Sequence, residues 1–258
     1  MKKCAFCTRP ANSREHIFSD WMLRMLPSKE RYILRERIPA TGELLKYPTK
    51  KIKVVAKVVC ERCNNTWMSR LEDEHLKPAI ENLLFSENRT TLTAKEIVAI
   101  SAFAFKTLIL ANHKDLTSAP FFPRVQRFRF RRELRIPDGV QIWMASRKAL
   151  AGKYYGFWRS AGGGVNEKSP YSFRLYSCTW NFQNIVLQAL GTKWDNSTQR
   201  KNEPPSLSPS SEWERAAVLI WPPRGNLIFW PPPFYLGDNT IEAFTDRWNE
   251  FRITIRAV

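Results

Sequence analysis

The chain has 258 residues, 43% of them hydrophobic and 25% charged, and its 41 Lys and Arg against 24 Asp and Glu leave a formal net charge of +17. That length buries one large core or two modest ones and excludes a disulfide-stapled miniprotein, while the excess positive charge points to a polyanionic partner. The N-terminus lacks the apolar stretch of a secretory signal, and the most apolar run, 97–111, carries Ser101, Lys106 and Thr107 and falls short of the about 20 residues that cross a bilayer, so a soluble cytoplasmic protein with no membrane contact is expected.

In chain order, Arg9-Pro10-Ala11-Asn12-Ser13 reads as a turn, 17–26 as a short helix stopped by Pro27, and 32–38 as a strand. Residues 52–59 are rich in β-branched side chains and run as a strand straight into Cys60. After Cys63 the spacing turns helical through Trp67, Leu71 and Glu74, and Pro78 is expected to break or kink the helix there. Thr93-Ala94-Lys95-Glu96 is a capping box opening a helix that is apolar nearly all round, the expected central buried helix of a second domain. Stretches 140–145, 153–159, 171–180 and 216–221 read as strands of an antiparallel sheet packed on helices. Residues 194–213 read as a long polar loop, and Asn239 with Glu242 opens a last amphipathic helix. The chain reads as an N-terminal module, 1–88, followed by an α+β companion, 89–258.

Two Cys-x-x-Cys pairs, Cys4/Cys7 and Cys60/Cys63, supply four thiolates. A two-residue spacing lets one tight turn aim both sulfurs of a pair at a single tetrahedral ion, and a reducing compartment favours metal over disulfides. Such a structural zinc is coordinatively closed, so chemistry has to come from elsewhere. Between the pairs lies Arg14-Glu15-His16, and directly after the last cysteine lies Asn64. On a strand, Glu15 and His16 face opposite ways. They meet at one site only if the backbone twists.

These motifs, Cys4-x-x-Cys7, Glu15-His16 and Cys60-x-x-Cys63-Asn64, resemble the HNH endonuclease superfamily, the ββα-metal nucleases in their zinc-bound form. The resemblance covers roughly the first 75 residues. It implies a zinc-stabilised ββα-metal module ahead of the α+β domain, and a metal-dependent enzyme that hydrolyses phosphodiesters, DNA by the family's habit. By the same resemblance His16 is the general base, Glu15 and Asn64 are ligands of a catalytic Mg2+ or Mn2+, and the cysteines cage Zn2+. His75 stands eleven residues beyond Asn64, about 16 Å along a helix axis, too far to share its ion. His113 closes the apolar helix, where its charge suits the dipole.

The basic residues are bunched. Arg14, Lys50, Lys51 and Lys53 in the module and Arg127, Arg129 and Arg131 in the companion are the candidate nucleic-acid contacts. Arg127-Phe128-Arg129-Phe130-Arg131 fits a strand with arginines on one face, or a helix with a stripe through Arg124, Arg127, Arg131 and Arg135. Two other readings stay open: a zinc-stabilised nucleic-acid-binding module without catalysis, and a protein-interaction subunit that docks through the companion's aromatic and Trp-Pro segments around Trp221 and Trp230.

Overall fold

The computed structural model describes residues 2–26, 32–37, 43–49, 54–85, 87–114, 120–148, 154–165, 172–195, 206–208, 213, 215–237, 240–246 and 252–254. The architecture is α+β, with helices gathered on a largely antiparallel sheet. The polar segment expected at 194–213 lies mostly outside the described residues, as do Lys50, Lys51 and Lys53. No helix among the described residues is long and apolar enough to cross a membrane.

A small antiparallel pair opens the chain. Strand β1 (Ser13–His16) pairs with β4 (Val55–Val59) in a register that slips between Ser13 and Glu15, the kind of irregularity that re-aims side chains. Between them come α1 (Asp20–Arg24), β2 (Tyr32–Arg37) and β3 (Leu44–Thr49). The long helix at 61–85 follows β4 directly. It starts as α2 (Glu61–Cys63), widens into π-helical turns at Asn64–Met68 and Leu71–Leu76, and ends as α3 (Lys77–Phe85). Asn12 caps its start, its Oδ1 accepting from the Glu61 N–H at 3.0 Å. Pro78 does not end the helix as expected. It follows a wide turn, a place where the missing i→i−4 bond is already relaxed.

The capping box is formed: the Thr93 N–H donates to Glu96 Oε2 at 2.7 Å, and the Glu96 N–H to Thr93 Oγ1 at 3.4 Å. It launches α4 (Ala94–Lys114), which is buried along almost its whole length because it has protein on both sides. One side packs on the sheet, the other on β4 and the long helix.

After α4 come α5 (Arg124–Glu133), β6 (Val140–Ser146), β7 (Tyr154–Val165), β8 (Ser172–Phe182) and β9 (Ile185–Trp194). The short strands β10 (Ser206–Ser208) and β13 (Arg252–Thr254) pair with each other, and α6 (Thr240–Asp246) covers part of the far sheet face through Ile241 and Phe244. β11 (Ala217–Trp221) joins the main sheet, whereas β12 (Leu227–Trp230) pairs with β5 (Thr90–Thr93) just ahead of α4.

The seven-stranded sheet runs β11-β6-β9-β8-β7-β2-β3. Every neighbour is antiparallel except β2 against β7, where Ile33 to Glu36 lie parallel to Tyr154 to Phe157. Two strands of the N-terminal stretch therefore complete the companion's sheet. No physical seam runs at residue 88: the halves share both a sheet and the α4 core.

Candidate functional site

Two knuckles bring the four cysteine sulfurs together. The Phe6 N–H donates to Cys4 Sγ and the Cys63 N–H to Cys60 Sγ, each at 3.4 Å, so each turn folds back on its own leading sulfur. All four ligand atoms lie within 4.8 Å of one another, and Cys7 Sγ is 3.5 Å from Cys60 Sγ. Four zinc–sulfur bonds at tetrahedral angles would separate the sulfurs by about 3.8 Å, so the set fits a zinc ion.

The electrostatics point the same way. Hydrogen bonding from Cys63 is the largest influence bringing Cys4 down to about 5, while Cys63 is driven well up by that same partner and then by burial. Burial raises Cys7 as well. One thiolate is thus welcome among protonated neighbours and further ones are not, until a cation supplies the missing charge. Phe6 packs edge-on to Trp67 at 5.0 Å, Trp67 to Phe130 at 5.8 Å and Phe130 to Phe105 at 4.8 Å, tying the knuckle to α5 and α4.

Arg127 holds this arrangement rather than facing solvent. It is buried on α5, donating from Nε to the Phe122 carbonyl at 3.0 Å and from Nη1 to the knuckle carbonyl of Ala5. A guanidinium committed to two buried carbonyls is withdrawn from phosphate contact. The helical alternative for 124–133 is the one that forms, started after Pro123 and closed by Leu134 at φ 51. Arg129 stays exposed, paired with Glu133 at 2.9 Å, and Arg131 is half-buried.

A cleft of about 420 Å³ lies beside the cage, between β1 and α1 on one side and the long helix on the other. Arg14, Glu15, His16 and Asn64 all line it. His16 Nδ1 approaches Asp20 Oδ1 at 3.4 Å across one turn of chain. Asn64 donates from Nδ2 to Ser13 Oγ at 2.9 Å and to the Arg14 carbonyl at 3.1 Å. This clamps the helix to β1 and leaves its Oδ1 as the end for another partner.

The helix wall is Asn64, Asn65, Met68, Ser69, Glu72 and Asp73, two rows repeating every four residues. An ordinary α-helix overshoots a four-residue repeat by about 40° each time, so such rows would wind off the face. The wider π turns hold back that drift and keep both rows on one wall.

Glu15 reaches the cleft from below. It is 6% exposed, and its Oε1 accepts from Lys106 Nζ at 2.6 Å. Lys106, fully buried in mid-α4, also donates to Glu72 Oε1. Burial opposes the Lys106 ammonium, but the two carboxylates outweigh it and raise its pKa. Glu15 is itself raised, first by burial, with Glu72 alongside adding to the rise and Lys106 opposing it.

Glu15, expected to hold an ion, is thus engaged by a lysine. Among the described residues the four cysteines form the sole cluster of three or more metal-type ligands, so no dedicated carboxylate cage exists there for a second ion. Lys106 and Glu72 were not among the expected site residues. A lone lysine inside an otherwise apolar buried helix was the signal that could have found them.

The other histidines and the Trp-Pro segments lie away from the cleft. His75 is exposed on the long helix. His113 is buried, and burial followed by Arg127 and Lys2 lowers it to about 4, so it is neutral and does not serve the helix dipole by charge. Trp230 is buried and Trp221 partly so, each ahead of a cis proline, while Phe229 is 80% exposed.

No family model, curated protein or solved structure matches the chain.

Proposed function

We propose that the chain is a metal-dependent endonuclease of the HNH type, with the four cysteines as a closed zinc cage and the His16 cleft as the site of phosphodiester hydrolysis. One observation carries the reading. His16 ends the first of two antiparallel strands, Asn64 lies in the opening turns of the helix after the second, and both line one cleft beside the cysteine cluster. With α1, β2 and β3 inserted between the two strands, this arrangement supports reading the segment as a ββα-metal module.

His16, with Nδ1 toward Asp20, would take a proton from the attacking water at its other ring nitrogen. Asn64 Oδ1 and the rim carboxylate of Asp20 would hold a magnesium or manganese ion, which keeps most of its waters and needs only one or two protein ligands. When bound, that ion supplies charge stabilisation at the phosphate. Glu15, already neutralised by Lys106, serves as an anchor. Exposed Arg14 and Arg129, with Arg131 and the net charge of +17, suit a polyanionic backbone, and DNA is the proposed substrate.

The second reading, a nucleic-acid-binding module without catalysis, is favoured by the Glu15–Lys106 pairing and by the lack of a carboxylate cage among the described residues. Cleavage of single- and double-stranded DNA and RNA with magnesium or manganese separates the two. The His16→Ala variant should lose about 10²- to 10⁴-fold in rate, the range for a general base, with zinc content and unfolding unchanged. Undiminished cleavage by that variant removes His16 from the mechanism, and binding without cleavage by the wild type selects the second reading.

A further inference from the structure

Lys106 is a costly residue to bury. It lies at 0% exposure in the middle of α4, its Nζ 4.8 Å from the Phe103 ring centroid, where an apolar side chain would pack at least as well. Its ammonium is shared between Glu15, the residue before His16 on one wall of the cleft, and Glu72, on the other wall. Lys106 belongs to neither wall, yet it is hydrogen-bonded to both. The Asn64 clamp holds the first turns of the helix wall to Ser13 and Arg14, and Lys106 ties Glu72, two turns further along the helix, to Glu15, the residue after Arg14.

We infer that Lys106 is a positioning residue that sets the width of the cleft, acting through Glu15 on His16 and through Glu72 on the helix wall. This rests on the nuclease reading for its catalytic consequence but not for its geometry. Ion-pair geometry is short and directional, whereas apolar packing at the same place tolerates sliding. The triad therefore trades packing for a fixed distance between the walls.

Two variants test this. Glu72→Gln keeps the Lys106–Glu15 pair and so leaves no unpaired buried charge, while releasing one wall. Glu15→Gln/Lys106→Met/Glu72→Gln replaces all three charges with groups of similar size, and the two amides, whose parent carboxyls lie within reach of each other, can hydrogen-bond together in place of the ammonium. Each is measured for thermal unfolding, for kcat and KM on a DNA substrate with magnesium, and by a crystal structure.

The expected result for the triple variant is near-wild-type unfolding, a kcat lower by about 100-fold with KM changed less than about twofold, and a shift of about 1 Å between His16 and the helix wall. Glu72→Gln should show the same pattern more weakly, by about tenfold in kcat, and carries the test alone if the triple variant does not fold. A wild-type kcat and an unmoved cleft in the folded variants would reduce Lys106 to a structural ion pair and overturn the inference. If the wild type cleaves nothing, the nuclease reading falls, and the crystal structures alone decide: displaced walls uphold the positioning role, unmoved walls end it.

Discussion

A buried histidine gives the protein a measurable acid sensitivity away from the cleft. His113 sits at 4% exposure with its Nδ1 on the Ile109 carbonyl at 3.0 Å, and burial with Arg127 and Lys2 lowers it from 6.5 to about 4. The unfolded chain takes up a proton as pH falls through about 6.5, and the folded chain only near 4. Stability from this group is thus full above the upper value and drains away between the two, by about 3 kcal/mol in all. Urea unfolding at pH 7 and pH 4 should show the loss. His113→Gln, which keeps a donor and cannot charge, should reduce that difference by about 3 kcal/mol, and a pH dependence unaltered in the variant would show that other groups control it.

At the level of elements, α5 separates its arginines by job. Arg127 turns inward to the Ala5 carbonyl, whereas Arg129 is exposed and Arg131 half-buried. If the outer pair tracks a phosphate backbone, Arg129→Ala/Arg131→Ala should reduce the slope of log affinity against log salt by about 2, close to one for each arginine removed. An unchanged slope would leave these residues as a solvated face. Arg127→Ala belongs to a different class of effect and should appear as weakened folding.

Periodicity could not have made that separation, because Arg127 and its carbonyl partner are 122 residues apart. The same holds for Glu15 and Lys106, 91 apart. What local pattern does reveal is local chemistry: the paired cysteines, the Thr93–Glu96 box, and the strands that alternate. β9, buried on both faces over residues 185–192, went unread, whereas β6, equally buried, was legible. The π turns at Asn64–Met68 went unread too, since no residue type demands them.

At the scale of the molecule, the N-terminal stretch is interleaved with the rest. β2 and β3 extend the companion's sheet, and Met68, Leu71 and Leu76 of the long helix share one core with α4. A fragment of residues 1–88 should then fail to fold on its own even with zinc supplied. Its far-ultraviolet circular dichroism should change gradually on heating while the full chain unfolds cooperatively. A sharp transition in the fragment would establish the module as autonomous after all.

The parallel seam between β2 and β7 also dictates an order of events during synthesis. Both cysteine pairs and the hairpin of β2 and β3 leave the ribosome well before Tyr154, the first residue of the strand against which Ile33 must lie. The hairpin waits with an open edge while more than a hundred further residues are made. For that interval the growing chain offers an unpaired strand edge to its neighbours, a site for association between chains before the sheet is complete.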